Sequence, residues 1–217
     1  MIDLTMTIKE HWRWKVKHQI TQDFKKGNDF RSSSLNISAH AFTHVDSPLH
    51  CKENGVTIES LDVDAYSGEA IIIDLSFKKE DEEITAEDLK ANSNVLLNGK
   101  IILLKTCWDT QYDPSTKEFW TKSPYLTEEA AIWLKNQQPR VVGFDFPQDY
   151  PLKLIDNGND FKLKEMVTHQ HLLYEGILLI EYLCNLSKIE TDCVQLICLP
   201  LKLAGFEGAP ARVVAMT

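Results

Sequence analysis

His40 to His50 reads HAFTHVDSPLH, placing three imidazoles and one carboxylate in a single short stretch that contains Pro48. Neutral imidazole together with carboxylate suits zinc, manganese or iron, whereas calcium and magnesium prefer oxygen ligands alone. Five of the seven histidines, His40, His44, His50, His169 and His171, fall in this stretch and in one later segment. A lone histidine is more often an ordinary core or surface side chain. Clustering with Asp46 and with a distant carboxylate makes a metal centre the stronger reading.

Upstream, from Ser34 to Ala41, apolar Leu35, Ile37, Ala39 and Ala41 alternate with Ser34, Asn36, Ser38 and His40, the period of a half-buried strand. A straight strand, at roughly 3.3 Å per residue, would hold the Cα atoms of His40 and His44 about 13 Å apart, too far to share one ion. The strand is therefore expected to end near His40, with a bend through Phe42. His44 and Asp46, two apart, share a face even when locally extended.

The later segment, Thr168 to Leu183, reads THQHLLYEGILLIEYL. As one continuous helix it would separate His169 from Glu181 by roughly 18 Å along the axis. Gly176 offers a break, so a helix from about Thr168 to Glu175 followed by a strand from Ile177 to Tyr182 folds the chain back and lets the two side chains converge. A carboxylate inside an apolar strand is costly unless paired or bound to a cation. The plain alternative for Glu181 is an ion pair with Arg212 or a lysine.

Apolar runs at Ala70 to Leu75, Val95 to Leu97, Ile101 to Leu104 and Val141 to Phe144 read as buried strands of a sheet core. Short helices are expected after the caps at Thr85 and Thr127, and Lys78 to Glu83 reads as a solvated loop. From Cys193 to the C-terminus the pattern gives two strands around a Gly205 to Gly208 turn. No repeat or linker divides the 217 residues, so one domain is expected.

The net charge of −9, from 32 acids against 23 bases with no long basic run, argues against a nucleic-acid or anionic-membrane partner. No apolar run reaches the roughly 20 residues of a membrane span, and the opening MIDLTMTIKEHWRWK lacks the form of a secretory signal. Five cysteines without paired spacing fit reduced thiols in a cytoplasm. Cys51, beside His50, is a conceivable nucleophile, but no helix start or nearby cation is evident to lower its pKa, so an incidental thiol is preferred.

Taken together, these stretches resemble the cyclase family of metal-dependent hydrolases, which includes bacterial kynurenine formamidase and isatin hydrolase. The family pattern, a histidine followed by GTHxDxPxH, is met by His40, Thr43, His44, Asp46, Pro48 and His50. IDLT at Ile2 to Thr5, GEAIIIDL at Gly68 to Leu75, LLKTCWD at Leu103 to Asp109, LTEEAAIWL at Leu126 to Leu134, VVGFD at Val141 to Asp145 and the closing GAPARVVAM carry the likeness along nearly the whole chain.

The resemblance implies an α/β (α+β) fold with a mixed sheet core, the swivelling β/β/α arrangement, assembled as a homo-oligomer such as a dimer or tetramer. It also implies that His40, His44 and Asp46 hold one divalent ion, zinc first and manganese as the alternative. Asp46, His169 and Glu181 complete that ion or hold a second, and His50 is the catalytic histidine. His171 has no role in the pattern and reads as a helix or supporting residue.

One departure stands out. The family glycine before Thr43 is Phe42, which removes a permissive backbone site and adds an aromatic ring beside the ligands. Phe146, Pro147 and Gln148 also replace the small or hydroxyl residues usual after the aspartate.

The expected activity is hydrolysis of a small amide, formamide or lactam C–N bond in a small-molecule substrate, an aromatic one among the options, with metal-activated water and His50 as general acid and base. Trp12, Trp14, Phe42 and Trp108 are candidates to stack on an aryl group, although packing is the commoner role for such rings. The alternatives are a metal-dependent cyclase or dehydratase, and a non-catalytic metal- or small-molecule-binding protein.

Overall fold

The computed structural model describes residues 1–93, 95–157 and 161–216. The apolar runs become neighbouring strands: β1 (Ile2–Asp3), β2 (Lys17–Gln22), β3 (Ser32–Asn36), β4 (His44–Asp46), β5 (Gly68–Asp74), β6 (Glu83–Ile84), β7 (Ile101–Lys105), β8 (Tyr125–Leu126), β9 (Val141–Phe144), β10 (Leu178–Glu181), β11 (Cys193–Pro200) and β12 (Gly208–Met216). The helices are α1 (Ala86–Ala91), α2 (Lys117–Thr121), α3 (Glu128–Gln137) and α4 (Val167–His171), with several short 3-10 turns.

Among the described residues the main sheet has eight strands in the order β1-β12-β11-β5-β7-β9-β10-β4, and β4 pairs again with β12. That last pairing closes the sheet on itself. β5, β7, β9 and β10 run parallel, joined by crossovers that carry the helices, while β4, β11 and β12 pair antiparallel with their neighbours. This is the mixed sheet core expected from the sequence.

Strand alternation sorts the side chains into two cores. Ala70, Ile72, Ile101, Leu103, Val141 and Ile180 face the inside of the closed sheet. Ile73, Ile102, Leu104, Val142, Phe144 and Leu179 point outward, against Leu89, Ala130, Leu134 and Leu172 of the helical layer. Each fully buried Ile, Leu or Phe contributes about 1.5–3 kcal/mol, so both faces are strongly held. His44 and Asp46 flank Val45 of the inner core, and Glu181 follows Ile180, so all three lie on the helix-covered face.

Helix starts follow their caps. Thr85 accepts from the backbone of Asp88 while the Asp88 carboxylate receives the Thr85 N–H, and Thr127 accepts from Ala130. Gly176, at φ 93°, ends the turn after α4 and admits β10, the reversal the later segment required. Among the described residues no helix is long and apolar enough to cross a membrane.

Three expectations need correction. The extended segment before His40 is shorter than Ser34 to Ala41, ending at Asn36, and among the described residues pairs with β2 alone, leaving Leu35 53% exposed. The alternation signalled extended chain, but the strand pairing stops at Asn36 and leaves Leu35 uncovered, while Ile37 packs against the outer core and Ala41 is buried in it. Val95 to Leu97 forms no strand, with Leu96 89% exposed and only Leu97 buried. Lys78 is buried, its ammonium 2.8 Å from Asp88, so the charge run is partly structural and Glu83 belongs to β6. The C-terminal pair forms as β11 and β12; Thr217, at the end of that expectation, lies outside the described residues.

Candidate metal centre

β4 and β10 are adjacent antiparallel strands in which Glu181 pairs with His44 and Leu179 with Asp46. Directly paired residues hold their Cβ atoms about 4.5–5.5 Å apart, which brings these donors together. His169 arrives from α4, one layer above. The bend predicted at Phe42 is present, with φ 61°, a left-handed conformation that a bulky residue rarely adopts.

That bend orients a donor. His44 Nδ1 donates to the Phe42 carbonyl at 2.8 Å, leaving the Nε2 lone pair free. His44 Nε2 lies 3.3 Å from Asp46 Oδ1 and 3.7 Å from Glu181 Oε2. His169 Nε2 lies 3.8 Å from Asp46 Oδ2 and 3.6 Å from Glu181 Oε1. Two ligands on a tetrahedral ion at about 2.0–2.1 Å stand roughly 3.3 Å apart, so the spacing suits a shared cation.

Satisfaction of polar atoms gives an independent test. His44 Nε2 and Asp46 Oδ2 are enclosed yet have no hydrogen-bond partner among the described residues. A lone pair facing carboxylates in a buried site is repulsive and unsatisfied until a cation lies between them. The donor set therefore fits a divalent transition metal.

The supporting residues were not legible as such in the sequence. His169 Nδ1 is 2.7 Å from Asp149 Oδ2, and Asp149 also accepts from the backbone and hydroxyl of Thr168 at 2.8 and 2.6 Å. Such an aspartate fixes the imidazole so that Nε2 faces the cluster. The Gln148 amide donates to Glu181 Oε1. Gln148, noted only as an unusual residue after the aspartate, thus holds a ligand, while Phe146 is a fully buried core residue.

His40 is placed differently. Its Nδ1 is 2.8 Å from Asp46 Oδ1 and its Nε2 3.0 Å from Glu207 Oε1, so both nitrogens face carboxylates. Burial pulls its pKa down, but hydrogen bonding to Asp46 and Glu207 overcomes this and lifts it to about 9. His169 follows the same logic with Asp149, burial opposing and the carboxylate raising it to about 9. Protons held on these imidazoles are what a cation displaces when ligands bind in their neutral form.

His50 ends a 3-10 turn that Pro48 opens, at the solvent-facing rim. Its ring lies 4.0 Å from that of His40 and 5.4 Å from that of His169. Enclosure among these groups pulls it down to about 4, with Asp46 opposing and His40 adding to the fall. Beside it opens a cleft of about 590 Å³ lined by His50, Lys52, Phe161, Met166 and His169. His40, Asp46 and His50 also bring ligand atoms within 4.8 Å of one another, as do His44, Asp46 and Glu181.

Other sequence candidates separate from the site. His171 pairs with Glu128 at 2.9 Å, joining α4 to α3. Arg212 pairs with Asp3 at 2.7 Å, so it is not the partner of Glu181. Trp108 is fully buried, its indole N–H donating to the Phe119 carbonyl, which removes it from the stacking candidates. The Cys51 thiol lies 3.8 Å from the His169 carbonyl and burial raises it to about 11, as an incidental thiol would be.

Fold and site together define a cyclase-like α/β protein with a candidate metal centre between sheet and helical layer. The Cyclase family model matches residues 2–148, and the chain belongs to that family. Kynurenine formamidase from a strain of Bacillus cereus is 30% identical over 198 residues, covering 91% of this chain and 85% of the relative. A structure described as a potential metal-dependent hydrolase with cyclase activity superposes with a TM-score of 0.73 at 28% identity, covering 98% of this chain and 95% of the other. Isatin hydrolase A from Labrenzia aggregata, at 22% identity, shares the fold with a TM-score of 0.78 over 100% of this chain and 93% of its own.

Proposed function

We propose that the protein is a metal-dependent hydrolase that cleaves a small amide, formamide or lactam C–N bond, in the manner of an aryl formamidase. The observation that carries this reading is the enclosed, unpartnered pair of His44 Nε2 and Asp46 Oδ2 facing His169 and Glu181. The formamidase name of the B. cereus relative supports the choice of bond.

His44, Asp46, His169 and Glu181 would hold the ion, with His40 joining if it exchanges a carboxylate contact for the cation. Zinc suits this mixed imidazole and carboxylate set best, with manganese as the alternative. When bound, such an ion supplies Lewis acidity for a carbonyl oxygen and makes water a stronger acid. Asp149 and Gln148 keep the ligand side chains in place. His50, unprotonated at neutral pH and on the cleft wall, is set to take a proton from the attacking water and return it to the leaving nitrogen. Five free thiols agree with work in a reducing cytoplasm.

The test is turnover of formanilide, N-formylkynurenine and isatin by zinc- or manganese-loaded protein beside its His50→Ala variant. Hydrolysis of at least one, lost by about 10²-fold or more in the variant, is expected for a general acid-base residue. Absence of turnover on all three contradicts the reading.

A further inference from the structure

Lys15 to Asn36, KVKHQITQDFKKGNDFRSSSLN, forms an arm that leaves the body of the molecule. Its strands β2 and β3 pair only with each other among the described residues, and nearly every residue along them is exposed. At the root, Val16 and Ile37 pack against the outer core, which fixes where the arm departs. Beyond them every hydrogen bond the arm makes among the described residues is internal. Ser32 donates to Gln22 at 2.9 Å, and Asp23 accepts from the Lys25 N–H at 3.0 Å, closing the turn at the tip. A two-stranded ribbon with no layer against it is at best marginally stable in water.

Basic charge and apolar surface are both concentrated there. The arm holds Lys15, Lys17, Lys25, Lys26 and Arg31 against Asp23 and Asp29, a net charge of +3, so the remainder of a chain of −9 carries −12. None of these five bases has an ion-pair partner among the described residues, and the Asp23 carboxylate is occupied in capping the turn. Phe24 and Phe30 are 64% and 72% exposed, and Leu35 is open as well. Apolar side chains scattered singly over a surface need no explanation, but these three share one thin ribbon with the unpaired bases.

We propose that this arm is an interaction surface whose partner is a second copy of the chain, each copy giving an arm and receiving one about a two-fold axis. The acidic remainder of one copy complements the basic arm of the other, and Phe24, Phe30 and Leu35 leave water on contact. The outer edges of β2 and β3 also present backbone N–H and C=O groups in a row, which another polypeptide can pair with and a polyanion cannot. The inference is independent of the hydrolase reading, since the arm holds none of the proposed ligands. The competing account makes the lysines guards that keep a free sheet edge from aggregating, on a protein that stays a monomer.

Sedimentation equilibrium of the full chain over a concentration series separates these accounts. It is run on wild type, on the triple variant Lys25→Glu, Lys26→Glu, Arg31→Glu, and on the double variant Phe24→Ser, Phe30→Ser. All five positions are exposed, so the core is untouched, and circular dichroism checks the fold. Wild type is expected to dimerise, with a dissociation constant rising about tenfold or more between about 0.05 M and 0.5 M salt. The charge reversal should weaken the dimer by about a hundredfold, and the phenylalanine variant by about tenfold at either salt concentration. A wild type that is monomeric throughout, or a dimer indifferent to both variants, overturns the proposal. So does a monomer that binds duplex DNA or vesicles of anionic lipid through these bases, because the arm then serves a different partner.

Discussion

His44 and Glu181 face each other across adjacent antiparallel strands as register partners, with Nε2 3.7 Å from Oε2. Asp46 and His169 close the other sides of the same small space. Two segments more than a hundred residues apart in sequence thus converge because β4 completes the sheet beside β10. A one-residue slip in that pairing would turn every ligand on β4 towards the inner core.

Asp149 bonds the outer nitrogen of His169, so Asp149→Asn should weaken the metal centre without removing a ligand. A loss of about 10–100-fold in metal affinity is expected, read by competition with a chromogenic chelator. Unchanged affinity would show that His169 needs no such support.

Gly208 has no room for a side chain, since an added Cβ would meet the Val45 carbonyl at 2.8 Å, His40 Cε1 at 2.9 Å and Asp46 Oδ1 at 3.2 Å. Gly208→Ala should destabilise the protein by about 1–3 kcal/mol, measured by urea unfolding, and should weaken metal binding as His40 and Asp46 are displaced. Metal affinity equal to wild type would show that those two side chains adjust freely.

Phe42 combines a strained backbone with a buried ring. Relieving a left-handed residue returns about 1–2 kcal/mol, whereas emptying a buried phenylalanine site costs about 3–5 kcal/mol. Packing outweighs strain, so Phe42→Gly should be less stable by about 1–4 kcal/mol in urea unfolding, although glycine is the family residue. A variant more stable than wild type would show that the strain dominates.

Asp88 supplies a pH-dependent contribution away from the centre. Burial raises its pKa, but the Lys78 ammonium and the Thr85 donors together outweigh this and leave it depressed in the folded state. A depressed carboxyl stabilises the fold above its unfolded pKa, near 3.9, and that stabilisation is lost as pH falls through the lower folded value. Asp88→Asn should therefore unfold at lower urea than wild type at pH 7, with the gap narrowing below about pH 4. A gap independent of pH would contradict the ionic origin.

Much of this was legible in the chain because the physics was local. Ile101 to Leu104 and Val141 to Phe144 are too apolar to be anything but buried strand, and Gly176 marks the reversal that returns Glu181 to the site. His44 and Asp46 were legible because their ligand chemistry and spacing are both short-range. The segment before His40 differs from its reading because alternation reports extended chain but not what covers it: the pairing with β2 stops at Asn36 and Leu35 stays exposed. Gln148, Asp149 and Glu207 carry no spacing signal. Glu207 reaches His40 only because β12 pairs with β4, a relationship that no local pattern encodes.

The most direct test of the shared cation is the metal content of protein purified without chelator, by elemental analysis, followed by zinc titration of wild type and of a His44→Ala, His169→Ala double variant. About one equivalent or more of transition metal per chain, lost in the double variant while its folded circular dichroism persists, is expected when both segments grip one ion. Less than about half an equivalent with none taken up on reconstitution, or equal uptake by the double variant, would contradict it.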